Sequence, residues 1–334
     1  MDLRVVKSVL CFLMLSCLSN MALADTGSID CKSVLEQSPA LAASQPIQLE
    51  GAESFVYEQM GDASLRLHVF SPPYHRQSDQ SAAIVFFFGG GWAFGTVYQF
   101  VPQAQYLSQR GMVAIVADYR VRCRHGSGPE EAMADARAAM RWVRSHASTL
   151  GIDPNRLVAS GGSAGGHLAV STALFEGAGA ISEDQSTSSQ PNALILFNPW
   201  LGAMTPTAKP YLPADPKSVQ AIAPAEHLRK GMPPTLILQG RADTATPYAA
   251  ALSYCEKARS MRGECKVVGY DGAEHGFFNA PNFGLPHNPD NPEKKAQNDW
   301  YRQTLFEADK FLSKLGYFST QPNAAGNFNS SGHL

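Results

Sequence analysis

LVASGGSAGGHLAV, residues 157–170, is the stretch whose reading decides the fold. A short apolar run ends at Ala159, and small residues follow without a bulky side chain. Within it, Gly161-Gly162-Ser163-Ala164-Gly165 satisfies G-x-S-x-G, the pattern of a strand that turns sharply into a helix with a serine at the turn. Such a turn holds the serine in a sparsely populated backbone region, and flanking glycines remove the Cβ atoms that would collide there. Ser163 Oγ is therefore expected at a helix N-terminus, where backbone N–H groups and the helix dipole favour developing negative charge. Glycine-rich turns containing serine are common, so a base, an acid and an anion-binding loop have to be found elsewhere in the chain.

Working outward, 334 residues with 44% hydrophobic and 17% charged side chains describe a globular chain with a sizeable core. A formal charge of −2 gives no reason to expect nucleic acid or acidic lipid as a partner. The first residues read as a secretory signal peptide, 1–24. Arg4 and Lys7 precede an apolar stretch from Ser8 to Leu18, and Ala22-Leu23-Ala24 offers small residues for cleavage before Asp25. An uncleaved anchor fits less well, because Ser16 and Asn20 interrupt the apolar core, and a lipoprotein acylated at Cys17 is a further alternative. Export leaves Cys31, Cys123, Cys255 and Cys265 in an oxidising compartment, secreted or periplasmic. Three pairings are open to them. The most economical joins Cys255 to Cys265 and Cys31 to Cys123, with four buried thiols as the alternative; the short loop is worth about 2–3 kcal/mol in the chain-entropy model.

From residue 25 to 51 no periodicity stands out, and an N-terminal extension is expected. Phe55–Tyr57 and Leu65–Phe70 read as a hairpin turning at Gly61-Asp62, and Ala82–Phe88, Met112–Ala117, Ala193–Phe197, Thr235–Leu238 and Lys266–Tyr270 as further strands. Helical stretches lie at Phe100–Arg110, Glu130–Ala147, Pro247–Met261 and Pro292–Leu315. Alternation of this kind predicts an α/β fold, a mostly parallel central sheet with helices on both faces. Gly177–Pro191 is expected to be an exposed loop, residues 200–233 a small cap or loop region, 52–316 the catalytic domain, and 317–334 a disordered tail.

A serine hydroxyl needs a base, and the base an orienting carboxylate. After Ser163, the run Leu236–Asp243 ends a buried strand in a glycine and delivers Asp243 on the next loop. Asp271–Phe277 then places His275 on a tight loop after another strand, giving the order serine, acid, histidine. Singly, Asp243 is as readily a helix cap and His275 a surface histidine; jointly those readings fail. Gly89-Gly90-Gly91-Trp92 closes a strand where an oxyanion loop belongs, and the N–H groups of Gly90, Gly91 and Ala164 are the candidate donors. Trp92 and Phe277 are candidate substrate contacts. His167, four residues past Ser163, reads as structural, and Glu274 as a weaker alternative acid. With no H-E-x-x-H, paired C-x-x-C or phosphate loop, no metal or cofactor is expected.

The segments FFFGGGW, ADYR, GIDPNRLVASGGSAGGHLA, LILQGRADTATP and GAEHGFF resemble α/β-hydrolases of the esterase and lipase superfamily. They are most similar to the hormone-sensitive-lipase-like esterases and the bacterial feruloyl and acetylxylan esterase relatives, over Phe55 to Leu315. The resemblance implies an α/β-hydrolase fold, Ser163 as nucleophile, Asp243 as acid, His275 as base, and Gly90, Gly91 and Ala164 as the oxyanion hole. Two departures matter. Phe88 stands where many such esterases have histidine, so the glycine loop must be braced from elsewhere, with Asp118 or ordered water the expected brace. Gly162 replaces the aspartate common before the nucleophile in the hormone-sensitive-lipase group, which favours the carbohydrate-esterase relatives.

The expected protein is an exported serine carboxylesterase of short-chain acyl esters, acetylated carbohydrates among the candidates. Small-molecule or carbohydrate esters are its expected partners, with no nucleic acid and no stable membrane insertion after signal removal; the oligomeric state is left open. Two rivals remain, an amide hydrolase resembling the prolyl oligopeptidases and a non-catalytic binding protein on this fold.

Overall fold

The structure is a computed structural model and describes residues 29–37, 47–61, 63–175, 186–281 and 292–318. The expected signal peptide, residues 177–185 of the expected 177–191 loop and the tail from 319 lie outside the described residues. Eight strands form one sheet: β1 (Glu53–Met60), β2 (Ala63–Phe70), β3 (Ser81–Phe87), β4 (Val113–Ala117), β5 (Ile152–Gly162), β6 (Ala193–Phe197), β7 (Thr235–Gly240) and β8 (Cys265–Tyr270). Their order is β1-β2-β4-β3-β5-β6-β7-β8, with β1, β2 and β4 paired antiparallel and every pair from β4 to β8 parallel.

Every residue of β4, β6 and β7 is buried, the reason β4 and β6 read as unbroken apolar runs and β7 carries Leu236-Ile237-Leu238 at its centre. The helices are α1 (Cys31–Gln37), α2 (Val101–Gln109), α3 (Arg122–His125), α4 (Pro129–Ser145), α5 (Ala164–Leu174), α6 (Pro216–Ile222), α7 (Tyr248–Ser260) and α8 (Pro292–Lys314). None of them is long and apolar enough to cross a membrane. All residues of α5 are buried, because it packs on β3, β5 and β6 together.

The structure adds detail to the sequence reading in three places. The extension holds a helix, α1, whose Cys31 is bonded to Cys123 of α3 with Cα atoms 5.0 Å apart. β5 begins at Ile152, ahead of the apolar run at 157–159 that marks the strand in the sequence, and pairs Ile152 with Ser81 before the register shifts. The stretch 200–233 contains α6 as well as loops, with its N-cap Asp215 accepting from the amides of Lys217 and Ser218. The second disulfide joins Cys255 of α7 to Cys265 at the start of β8, Cα atoms 5.2 Å apart.

Since β3 and β5 to β8 run parallel, their carboxyl ends open on one edge of the sheet. The glycine loop after β3, Ser163 after β5, Asp243 after β7 and His275 after β8 are delivered to that edge. Ligands of open α/β sheets bind there.

Candidate active site

Ser163 sits between β5 and α5 at φ 55°, ψ −117°, a left-handed conformation that costs a non-glycine residue about 1–3 kcal/mol. Its amide donates to the Phe197 carbonyl at 2.9 Å, and its carbonyl accepts from His167 and Trp200 at 3.0 and 3.1 Å. Three backbone bonds thus fix the serine in a geometry that it would not adopt alone.

His275 bridges the other two groups. Its Nε2 lies 2.9 Å from Ser163 Oγ and its Nδ1 2.8 Å from Asp243 Oδ2. An ionised carboxylate only accepts, so Nδ1 carries the proton and bare Nε2 accepts from the serine hydroxyl. The Asp243 side chain is fully buried. Burial acts to raise its carboxyl, but hydrogen bonding and charge from His275, with hydrogen bonds from Thr246, outweigh burial and hold it below the usual range. Oδ1 takes the amides of Ala245 and Thr246 at 2.9 and 2.8 Å, and Oδ2 takes the Thr246 hydroxyl at 2.8 Å and Gln239 Nε2 at 3.1 Å. Glu274 has no part in this bridge.

Ser163 and His275 open into a cavity of about 110 Å³ whose lining includes Gly90, Gly91, Ala164, Trp200, Tyr211 and Phe278, with Asp243 buried behind them. Gly90 and Gly91 have φ of 124° and 61°, and a Cβ on Gly91 would lie 2.1 Å from the Tyr211 ring, so the ring closes directly over the loop. Among the described residues no group of three or more His, Cys, Asp or Glu side chains is placed to hold a metal ion.

The sequence matches the BD-FAE family over residues 67–198 and the family described as TAP-like protein over residues 213–284. Esterase 2 of Thermogutta terrifontis phosphorylated by paraoxon is 41% identical, covering 83% of this chain and 98% of its own, with a TM-score of 0.72. The same enzyme with propionate bound is 40% identical over 82% and 97% of the two chains, with a TM-score of 0.71. The chain belongs to the α/β-hydrolase esterases. Among curated relatives, the probable carboxylic ester hydrolase LipM of Mycobacterium tuberculosis is 27% identical over 52% of this chain and 44% of its own. An acetylxylan esterase of Xylanibacter ruminicola is 24% identical over 71% and 48%. The chain spans about half the length of these curated relatives.

In this member of the α/β-hydrolase esterases, the brace of the glycine loop is not Asp118. That carboxylate is taken by Arg124 at 2.9 Å. The loop is held instead by Tyr119, whose hydroxyl donates to the Phe88 carbonyl at 2.7 Å, and by Gln99, whose Oε1 accepts from the Gly89 amide at 2.6 Å. Phe88 stacks on Tyr119 with centroids 4.1 Å apart, so an aromatic pair occupies the place of the expected histidine. Gln99 carries no motif, and nothing in its sequence surroundings marks it for this role.

Trp92 lines the cavity, but its indole N–H is spent on His167 Nδ1 at 3.2 Å. His167 Nε2 in turn donates to the Ile222 carbonyl at 2.9 Å, and burial lowers its pKa to about 4, so the ring is neutral and ties the glycine loop to α6. Phe277 is corrected: it is buried against Tyr270, ring centroids 4.9 Å apart, and does not line the cavity. The next residue, Phe278, does, because successive residues of that tight loop point to opposite sides.

Proposed function

We propose that this chain is an exported serine carboxylesterase acting on short-chain acyl esters, acetylated carbohydrates among them, with residues 52–316 as its catalytic unit. Ser163 Oγ attacks the ester carbonyl while His275 Nε2 takes its proton. The oxyanion is received by the N–H groups of Gly90, Gly91 and Ala164, and Asp243 stabilises the imidazolium. His275 then protonates the leaving alcohol, and a water that gives its proton to the same nitrogen releases the acid from Ser163.

The observation that carries this reading is the two-sided bridge of His275, 2.9 Å from Ser163 Oγ and 2.8 Å from Asp243, beside a glycine loop. Short acyl groups are supported by the small cavity closed by Tyr211 and by the propionate held by the Thermogutta esterase. A carbohydrate alcohol is supported by the acetylxylan esterase relative. Export is supported by the two disulfides, which persist in oxidising compartments. Ser163→Ala is expected to lose p-nitrophenyl acetate turnover by several orders of magnitude and all fluorophosphonate labelling, with an unchanged far-ultraviolet spectrum. Near-normal turnover in that variant contradicts the assignment. A chain-length series of p-nitrophenyl esters, run beside acetylated xylan, reads out the acyl limit and the carbohydrate preference.

A further inference from the structure

Gly89, Gln99 and Asn279 form a chain of amides that runs from the glycine loop to the loop carrying His275. A main-chain N–H can only donate, so the Gly89 amide fixes Gln99 Oε1 toward itself at 2.6 Å. Gln99 Nε2 is thereby turned toward Asn279, and the atom it meets at 3.0 Å has to be Oδ1. The direction of the relay leaves Nδ2 as the free end of the Asn279 amide. Both Gln99 and Asn279 are buried and line the cavity. Nδ2 has no hydrogen-bond partner among the described residues, and it is not sealed from solvent as the Asn198 amide nitrogen is.

The Asn279 backbone is held on both sides: its N–H donates to the Gly276 carbonyl at 3.0 Å and its carbonyl accepts from Gln297 Nε2 at 3.3 Å. The free Nδ2 sits next to Gly276, where a Cβ would approach it to 3.2 Å. Gly276 follows His275, the group that protonates the departing oxygen. A donor fixed beside it faces the alcohol half of the ester.

We infer that Asn279 Nδ2 is a substrate-binding donor for an oxygen acceptor, ether or hydroxyl, on the alcohol portion of the ester, and that esters of oxygen-bearing alcohols are favoured over alkyl esters of the same size. This rests on the serine-esterase reading above, because the role of His275 is what places the leaving group at Gly276. An apolar alcohol displaces water from the donor and leaves it unpaired, whereas an ether or hydroxyl oxygen satisfies it.

Butyl acetate and 2-methoxyethyl acetate differ by one CH2-for-oxygen exchange, and the ether can only accept. The kcat/KM ratio, methoxyethyl over butyl, is measured for the wild type, Asn279→Ala and the isosteric Asn279→Asp. The intrinsic reactivity of the two alcohols cancels between proteins. The wild-type ratio is expected to exceed that of Asn279→Ala by about 5–10-fold, the worth of one hydrogen bond. Asn279→Asp should fall lower still, because an acceptor then faces an acceptor. Equal ratios in all three folded proteins overturn the inference, as they would if Nδ2 held only a water. A change confined to the butyryl-over-acetyl ratio of the butyl esters also overturns it, by placing Asn279 on the acyl side. If the folded wild type hydrolyses neither ester and resists fluorophosphonate, the serine-esterase reading itself fails, and the inference with it.

Discussion

A Cβ placed on Gly162 would lie 2.3 Å from Cζ of Phe278 and within 3.0 Å of two more ring atoms. Phe278 cannot yield readily, since it is fully buried and stacks against Phe100 with centroids 5.4 Å apart while also touching Phe197. The ring occupies the space that any side chain before Ser163 would need, so glycine fits there. Gly162→Ala is expected to lower unfolding free energy by about 1–3 kcal/mol, the usual range for overpacking, read from urea denaturation. An unchanged midpoint would mean that the ring moves aside freely. Ser163, Asp243 and His275 were legible because glycines mark the tight turns that present them. Gln99 and Asn279 were not, since an amide among apolar residues has no pattern of its own and acquires its role only when distant loops meet. Phe277 was misread for a related reason: two adjacent phenylalanines are equivalent in sequence and become inner and outer only on a folded loop.

The elements that surround the site are joined by Arg120 and Asp135. Arg120 follows β4, and its amide and Nε donate to the Asp135 carboxylate on α4 at 2.8 and 3.0 Å. The Asp135 side chain is fully buried and that of Arg120 is 17% exposed, so neither partner is well solvated. Removing one member of a buried pair leaves an uncompensated charge, and Arg120→Ala is expected to cost about 3–5 kcal/mol by urea denaturation. Adding Asp135→Ala to that variant should recover part of the loss; a double variant no more stable than the single would contradict the pairing. Elements of this length were readable from sequence, as the apolar runs of β3, β4 and β6 and the helical spacing of α4 illustrate. The seven-residue α1 and four-residue α3 were too short to display a 3.6-residue period. Strand order was also closed to inspection, because fully buried strands look alike and their neighbours are chosen by tertiary packing.

At the scale of the whole molecule, buried histidines couple stability to pH, His167 and His68 most strongly. His167 joins the glycine loop to α6 through Trp92 and Ile222, and His68 Nδ1 meets Ser54 Oγ across β1 and β2 at 2.7 Å. Burial is the largest cause that lowers the pKa of each from its ordinary value to about 4. Between pH 4 and about 6.5 the unfolded chain therefore binds more protons at these sites than the folded chain does. Native stability must rise with pH through that interval, and fall as the solution is acidified from neutrality. Each histidine adds a slope of up to about 1.4 kcal/mol per pH unit. The lowered carboxyl of Asp243 extends the loss further into acid, because its stabilisation disappears only as pH falls through its depressed value. Urea denaturation of the intact chain at pH 7.5, 6 and 5 is expected to give a progressively lower midpoint. His68→Asn should flatten part of the slope without removing the remainder, to which His167 and His125, whose pKa burial also lowers, contribute. A midpoint that stays constant from pH 7.5 to 5 would mean that these rings are hydrated and protonate freely in the native state, a result incompatible with the closed packing that joins Trp92, His167 and Trp200 behind the glycine loop.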